Sequence, residues 1–191
     1  MLCLKNSTNP GWIEAVKANL LVTISDHAHC EKKAANTGMV LINKYPEKSD
    51  LGFAMCNLIE EEIDHYRSVL KFLDKMGEKL SRDTGDPYAR DLFTQVRKNE
   101  PGRFLDHLLV AGIIEARSCE RLQILAEHIE EPELKAFYKE LADIEAGHYV
   151  TFTKIARTYY SNEEVKQRLD ELSEFEAKLV ENLTNEPTMH G

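Results

Sequence analysis

The sequence predicts an all-α protein: a four-helix bundle with a long crossover between its halves and additional helices beside it. Three observations predict it. Apolar residues recur at helical spacing through several long segments. The six prolines and nine glycines are few and fall mostly between those segments, which disfavours a turn-rich β fold. The 191 residues, 42% of them hydrophobic, suffice for one domain with a sizeable core.

The elements follow in order. Asn9-Pro10-Gly11 is a turn signal, after which Ile13, Val16, Leu20, Ile24, His27, Glu31 and Ala34 recur at helical spacing. A first core helix is expected over 11–42, stopped by Lys44-Tyr45-Pro46. The second, over 49–81, has the inner stripe Leu51, Met55, Leu58, Glu62, His65, Val69, Phe72 and Met76. Asp83-Thr84-Gly85-Asp86-Pro87 has loop composition, and a short extra helix is expected over 88–98. Glu100-Pro101-Gly102 punctuates again before a third core helix over 103–130, with Leu105, Leu108, Gly112, Glu115, Cys119, Leu122 and Ala126 in phase. Pro132 suits the first turn of a fourth, over 132–160, carrying Leu134, Phe137, Leu141, Glu145, His148, Phe152 and Ile155. Ser161-Asn162-Glu163 reads as the cap of a last helix over 162–183. No linker divides the chain, so a single domain over 1–191 is expected.

Composition narrows the function classes. With 33 acidic against 24 basic residues, the net charge of -9 argues against a protein that grips nucleic acid over its whole surface. It leaves room for a local basic patch, and it suits an interior that uses carboxylates as metal ligands. The four cysteines, Cys3, Cys30, Cys56 and Cys119, form no C-x-x-C pair, so they read as isolated reduced thiols of a cytosolic protein. The N-terminal residues lack a signal-peptide apolar region, and no run approaches the ~18 apolar residues of a membrane span. A cytoplasmic protein is expected.

The informative anomaly is charge inside the apolar stripes. A buried ionised carboxylate costs several kcal/mol unless something compensates it. Here the intruders share a pattern. Glu62-Ile63-Asp64-His65 and Glu145-Ala146-Gly147-His148 are both Glu-x-x-His, a spacing that puts carboxylate and imidazole on one helix face. Glu31 lies 31 residues before Glu62, and Glu115 lies 30 before Glu145. The chain thus repeats one unit: a helix with Glu, a reversal, a helix with Glu-x-x-His. This is the signature of carboxylate-bridged di-iron bundles with a ferritin-like fold. The expected metal ligands are Glu31, Glu62, His65, Glu115, Glu145 and His148. Four carboxylates would balance two divalent cations, and six protein ligands leave coordination positions open for dioxygen. Oxygen and imidazole donors suit iron or manganese.

Neighbouring residues compete on charge alone. Glu60 and Glu61 compete with Glu62, but only Glu62 pairs with His65 at the required spacing; Glu120 competes with Glu115, which follows the apolar stripe. Cys119, one turn past Glu115, fits a small core residue better than a ligand. His27, one turn before Glu31, is a candidate to hydrogen-bond a ligand carboxylate from outside the ligand set. An ordinary core or surface histidine fits that spacing equally well.

The segments His27-Ala28-His29-Cys30-Glu31-Lys32-Lys33-Ala34-Ala35, Glu60-Glu61-Glu62-Ile63-Asp64-His65-Tyr66 and Ile114-Glu115-Ala116-Arg117-Ser118-Cys119-Glu120-Arg121 resemble the tRNA 2-methylthio-N(6)-isopentenyladenosine hydroxylase family, MiaE. Ile144-Glu145-Ala146-Gly147-His148-Tyr149 fits its last ligand segment. The resemblance implies a di-iron monooxygenase. It would use dioxygen to place one oxygen atom in an allylic C–H bond of the prenyl group beside the tRNA anticodon, releasing the other as water. The same six residues match the family's iron ligands. With no flavin or nicotinamide motif evident, two electrons must come from an external donor or reductase. Binding tRNA requires positive charge; Arg97, Lys98 and Arg103 before the third core helix, and Lys32 and Lys33 after Glu31, are the candidate contacts. An ordinary solvated face accounts for either cluster as well. The competing functions are an iron-storing ferroxidase and a di-iron oxygenase acting on a lipid or aldehyde.

Overall fold

The computed structural model describes residues 2–190. They form seven helices and no strand: α1 (Gly11–Ala18), α2 (Leu20–Lys44), α3 (Ser49–Lys75), α4 (Pro87–Phe93), α5 (Gly102–His128), α6 (Pro132–Tyr159) and α7 (Asn162–Glu181). The all-α class is as expected, and α5, α6 and α7 lie within two residues of their expected bounds.

Three boundaries differ, each for a local reason. The helix expected over 11–42 is two, because Asn19 leaves helical backbone (φ -142°, ψ 44°) between α1 and α2. Asparagine competes for backbone hydrogen bonds with its own side chain, and its Nδ2 donates to the Ala15 carbonyl at 3.3 Å. The helix expected to reach 81 ends at Lys75. Gly77 adopts φ +75°, which residues with a Cβ rarely take, and the Glu78 and Gly77 amides donate back to Leu73 (2.9 Å) and Asp74 (3.0 Å). The short helix expected over 88–98 stops at Phe93. Its continuation is drawn away by Asp106, which takes the Arg97 amide at 2.8 Å.

The described residues divide into two compact units. One comprises Ala15–Gly85 and Pro187–Met189, with α2 and α3 as an antiparallel hairpin. Its core includes Ile24, Ala28, Leu41, Leu51, Met55, Leu58 and Val69. The chain after α3 is tied back to α2: the His29 ring meets the Ser81 carbonyl at 2.9 Å, the Ser81 amide donates to Ser25 Oγ at 2.9 Å, and Lys33 pairs with Asp83 at 2.9 Å.

The other comprises the residues to Glu14, Asp86–Glu186 and those from His190 on. Here α5 packs on α6, with α4 and α7 against α5. Pro132 opens α6 while the Glu131 side chain accepts from the first free amides; Ser161 and Glu164 form a capping box that starts α7. A charged core runs beneath α7. Arg117, fully buried, donates to Glu176 at 2.8 Å and to the Asn6 carbonyl at 2.9 Å, and also bonds Glu120. Tyr88 donates to the same Glu176 oxygen at 3.0 Å. Burial opposes the Arg117 charge, but the Glu176 and Glu120 carboxylates outweigh it and raise its pKa. Arg121 stacks over Trp12 at 4.6 Å; burial, with Arg117 nearby, pulls it down to about 10. Among the described residues no helix is long and apolar enough to cross a membrane.

Candidate metal centre

Each unit carries one cluster of ligand-type side chains. In the α2/α3 hairpin, Glu31, Glu62 and His65 are all buried, and one donor atom from each lies within 4.8 Å of the others. His65 Nδ1 stands 3.2 Å from Glu31 Oε2 and 3.6 Å from Glu62 Oε2. Helical phase builds this: three residues separate Glu62 from His65 on one face of α3, and that face is the apolar one. Glu60 and Glu61 are exposed, as the same phase requires. His27 lies one turn before Glu31, is 1% exposed, and sets Nε2 2.6 Å from Glu31 Oε1. The position that could be an ordinary histidine is thus against the Glu31 carboxylate.

In the α5/α6 pair, Glu115, Glu145 and His148 are likewise buried, with donor atoms within 4.8 Å of one another. His148 Nδ1 is 3.1 Å from Glu145 Oε2. Glu120, the competitor of Glu115, is taken by Arg117 and by Thr8, whose Oγ1 donates to it at 2.6 Å. Cys119 is buried; burial, and then the Glu145 charge, push its thiol up to about 11. It sits in the core as a neutral thiol. A Cβ at Gly112 would stand 3.4 Å from Phe152 Cβ, in van der Waals contact with α6.

Each cluster therefore offers two carboxylates and one imidazole, with no thiolate, in water-poor surroundings. Such donors fit a borderline-hard divalent cation, and without one each cluster would concentrate buried negative charge.

The basic residues expected to meet tRNA are placed differently from one another. Arg97 clamps the fully buried Asp106, donating through Nε at 2.9 Å and Nη2 at 2.8 Å, with Arg168 on the same carboxylate. Burial pushes Asp106 up, but bonds from Arg97 and Arg168 prevail and hold it below the usual range. Arg103 pairs with Glu100 at 2.7 Å. Lys33 pairs with Asp83, and Lys32 reaches His29 at 2.9 Å. Lys98 is exposed. Sequence reading assigned no role to Arg117, Arg121, Glu176 or Asp106. The available signal was a second apolar line on α5, Val110 and Ile113, with which Asp106, Arg117 and Arg121 fall in phase, and the line Leu172, Glu176 and Val180 on α7.

The helical content and paired Glu/Glu-x-x-His clusters define a ferritin-like protein of the carboxylate–histidine class. In agreement, a Synechococcus structure described as "Protein 43 with aldehyde deformylating oxygenase activity" shares the fold with TM-score 0.94 and 36% sequence identity, over 98% of this chain and 95% of that one.

A family model for tRNA-(MS[2]IO[6]A)-hydroxylase (MiaE) matches residues 1–191, and the chain belongs to that family of enzymes. Two relatives agree with it. The tRNA 2-(methylsulfanyl)-N(6)-isopentenyladenosine(37) hydroxylase of Pseudomonas putida is 36% identical over 184 residues, 96% of this chain and 89% of that protein. The Salmonella typhimurium protein of the same name is 28% identical, covering 91% of this chain and 82% of its own length.

Proposed function

We propose that this chain is a di-iron, dioxygen-dependent monooxygenase that hydroxylates the isopentenyl group of 2-methylthio-N(6)-isopentenyladenosine in tRNA, working as one cytoplasmic domain over its whole length. The observation that carries this reading is membership of the hydroxylase family over all 191 residues by a chain with two buried Glu/Glu-x-x-His clusters. Glu31, Glu62, His65, Glu115, Glu145 and His148 are the residues that would hold two iron ions. Their four carboxylates balance the charge of two divalent ions, a physical reason for this number of ligands. Bound iron supplies the activation of dioxygen, chemistry that side chains alone do not provide.

The chain's own residues do the rest. His27 stands against Glu31 Oε1, the oxygen other than the one that faces His65, and would hold that carboxylate's orientation. Buried apolar neighbours on the ligand helices, Leu58 and Val69 on α3 and Leu122 and Phe152 on α5 and α6, keep water from the clusters. That dryness protects an allylic C–H oxidation from side reactions. The electrons come from a separate donor or reductase, since the chain has no flavin or nicotinamide motif.

The test is reconstitution. Anaerobically iron-loaded, reduced protein is given dioxygen and prenylated, methylthiolated tRNA, and the digested nucleosides are weighed. A gain of one oxygen atom is expected. No gain, with iron confirmed in the protein, overturns the assignment. The Synechococcus likeness supports one rival, an aldehyde-consuming oxygenase. Replacing tRNA with a long-chain aldehyde in the same assay decides between them, and the tRNA reaction is expected to be the faster.

A further inference from the structure

The α5/α6 pair holds a groove of about 520 Å³ that lies along its two helices, between the ligand cluster and the turn that joins them. That volume falls within the roughly 300–1,000 Å³ of small-molecule sites. The floor is small and apolar: Ala142 is buried and Ala126 half-buried. The rim is exposed, with Gln123 and Glu127 on α5 and Lys135, Lys139 and Asp143 on α6. Two lysines stand against two carboxylates, so the lining as a whole carries no net charge. That balance suits an uncharged occupant and disfavours a phosphate.

The groove runs up to the ligand level. Ala142 lies three residues before Glu145, about 4.5 Å along the α6 axis and on the adjoining helix surface. On α5, Gln123 donates from Nε2 to Cys119 Sγ at 3.6 Å, and Cys119 lies one turn past Glu115. The Gln123 carboxamide is therefore drawn back to within about one turn, ~5.4 Å, of the level of Glu115. A second cavity, of about 510 Å³, is the contrast. It is lined by Cys3 and by residues of α7, Lys166 and Ser173 among them, and by no residue of a ligand helix. Volume alone does not separate the two cavities; position does.

A prenylated adenine base fits what the groove offers. The base is flat and uncharged, and the prenyl chain on N6 adds an apolar arm that an alanine floor takes without a clash. N6 keeps one hydrogen after prenylation, and a glutamine carboxamide matches the N6–H and N7 edge of adenine. We propose that this groove seats the prenylated base, with Gln123 on its N6/N7 edge and Ala126 and Ala142 beneath it, so that the prenyl arm points along the helices to Glu115 and Glu145. This rests on the tRNA hydroxylase reading above. The phosphates of the RNA then lie outside the groove, in keeping with its lack of net charge.

The experiment is thiol footprinting of the full-length, iron-loaded protein. Lys139→Cys, on the exposed rim, and Ala126→Cys, on the floor, each place a thiol in the groove; Lys154→Cys, exposed elsewhere on α6, is the control. Each variant is labelled with a maleimide in the presence of an anticodon stem-loop RNA that carries either the prenylated, methylthiolated base or plain adenosine, and labelling is read peptide by peptide. The prenylated RNA is expected to slow labelling at 139 and 126 about tenfold or more relative to the plain RNA, which lacks the apolar arm that such a groove discriminates. Position 154 should label equally with both. Ala126→Leu fills the floor and should erase the difference in affinity between the two RNAs. Gln123→Ala should weaken binding of the prenylated RNA about two- to tenfold, the effect of one lost hydrogen bond. Lys139→Cys replaces an exposed side chain, so the result does not depend on how the floor variants fold.

If the wild type hydroxylates tRNA while prenylation leaves labelling at 139 and 126 unchanged, the groove is wrong and the function stands. Protection by a long-chain aldehyde and by neither RNA likewise overturns the groove as the seat of the base. If iron-loaded wild type does not hydroxylate tRNA, the functional reading falls and takes the groove with it.

Discussion

The two hairpins carry the same ligand pattern in unlike surroundings. Two residues after Glu31 stands Lys33, about one-third exposed and paired with the half-buried Asp83. Two residues after Glu115 stands Arg117, fully buried and bonded to Glu176, Glu120 and the Asn6 carbonyl. One turn before Glu31 is His27, 2.6 Å from the carboxylate; one turn before Glu115 is Ala111, which has no polar side chain. One turn after them are Ala35 and Cys119. The α2/α3 hairpin therefore places a polar partner on Glu31, whereas the α5/α6 pair places its polar groups on the other side of α5, under α7. A duplicated ligand motif does not fix a duplicated environment.

The strongest way to test that contrast is to remove a ligand from each side. Glu62→Ala and Glu145→Ala should each abolish hydroxylation and lower bound iron below one ion per chain, measured by elemental analysis and product mass. Full activity in either variant would make the two clusters unequal in a way the shared motif does not allow.

Stability should separate the hairpins next. Arg117→Ala strands Glu176 in the core and should cost about 3–5 kcal/mol in denaturant unfolding. Lys33→Ala, at the matching place on α2, should cost less, about 1 kcal/mol, because Asp83 keeps access to water when its partner is lost. Equal losses would remove the distinction between a buried brace and a surface one.

His27→Ala should lower iron affinity or turnover about 10–100-fold, the usual effect of losing a partner behind a metal ligand. His27 is buried, so the truncation also lowers the thermal midpoint, and metal titration and kinetics on the folded protein identify the effect on iron. A wild-type affinity would leave His27 as packing only.

Thiol labelling gives the mildest effect. Cys56 is exposed and should react first with a maleimide at pH 7.5. Cys119, buried and held protonated by a pKa of about 11, should react only after unfolding. Rapid labelling of Cys119 would show that the inner face of α5 is open at the level of Glu115.

Acid should act at a separate place, the Asp106 clamp. Its folded pKa is held below the unfolded value, so its contribution is complete above the unfolded carboxylate range. That contribution is lost as pH falls through the folded value. In Asp106→Asn, acid unfolding should begin from a lower starting stability and depend less on pH in that window, read by helicity against pH.

Much of this molecule could be read from the chain alone. Periodicity and punctuation placed the long helices, since a helix that buries one face must repeat apolar residues near 3.6. Phase and motif repetition singled out Glu31, Glu62, His65, Glu115, Glu145 and His148 as candidates, because three- and four-residue spacing is geometry the backbone imposes. Other features depend on groups distant in sequence. Gly77, expected inside the helix over 49–81, ends α3 because its positive φ lets the chain turn back on Leu73 and Asp74. Asp106, some nine residues after Arg97, decides where α4 stops and what Arg97 can bind. Arg117 is a brace only because Asn6, Tyr88, Glu120 and Glu176 converge around it. The sequence by itself determined which side chains share a helix face; the tertiary structure alone decided which cations are matched by a carboxylate. Charge pairing is a property of positions in space, and a chain read in one dimension holds only the residues that such pairs can draw on.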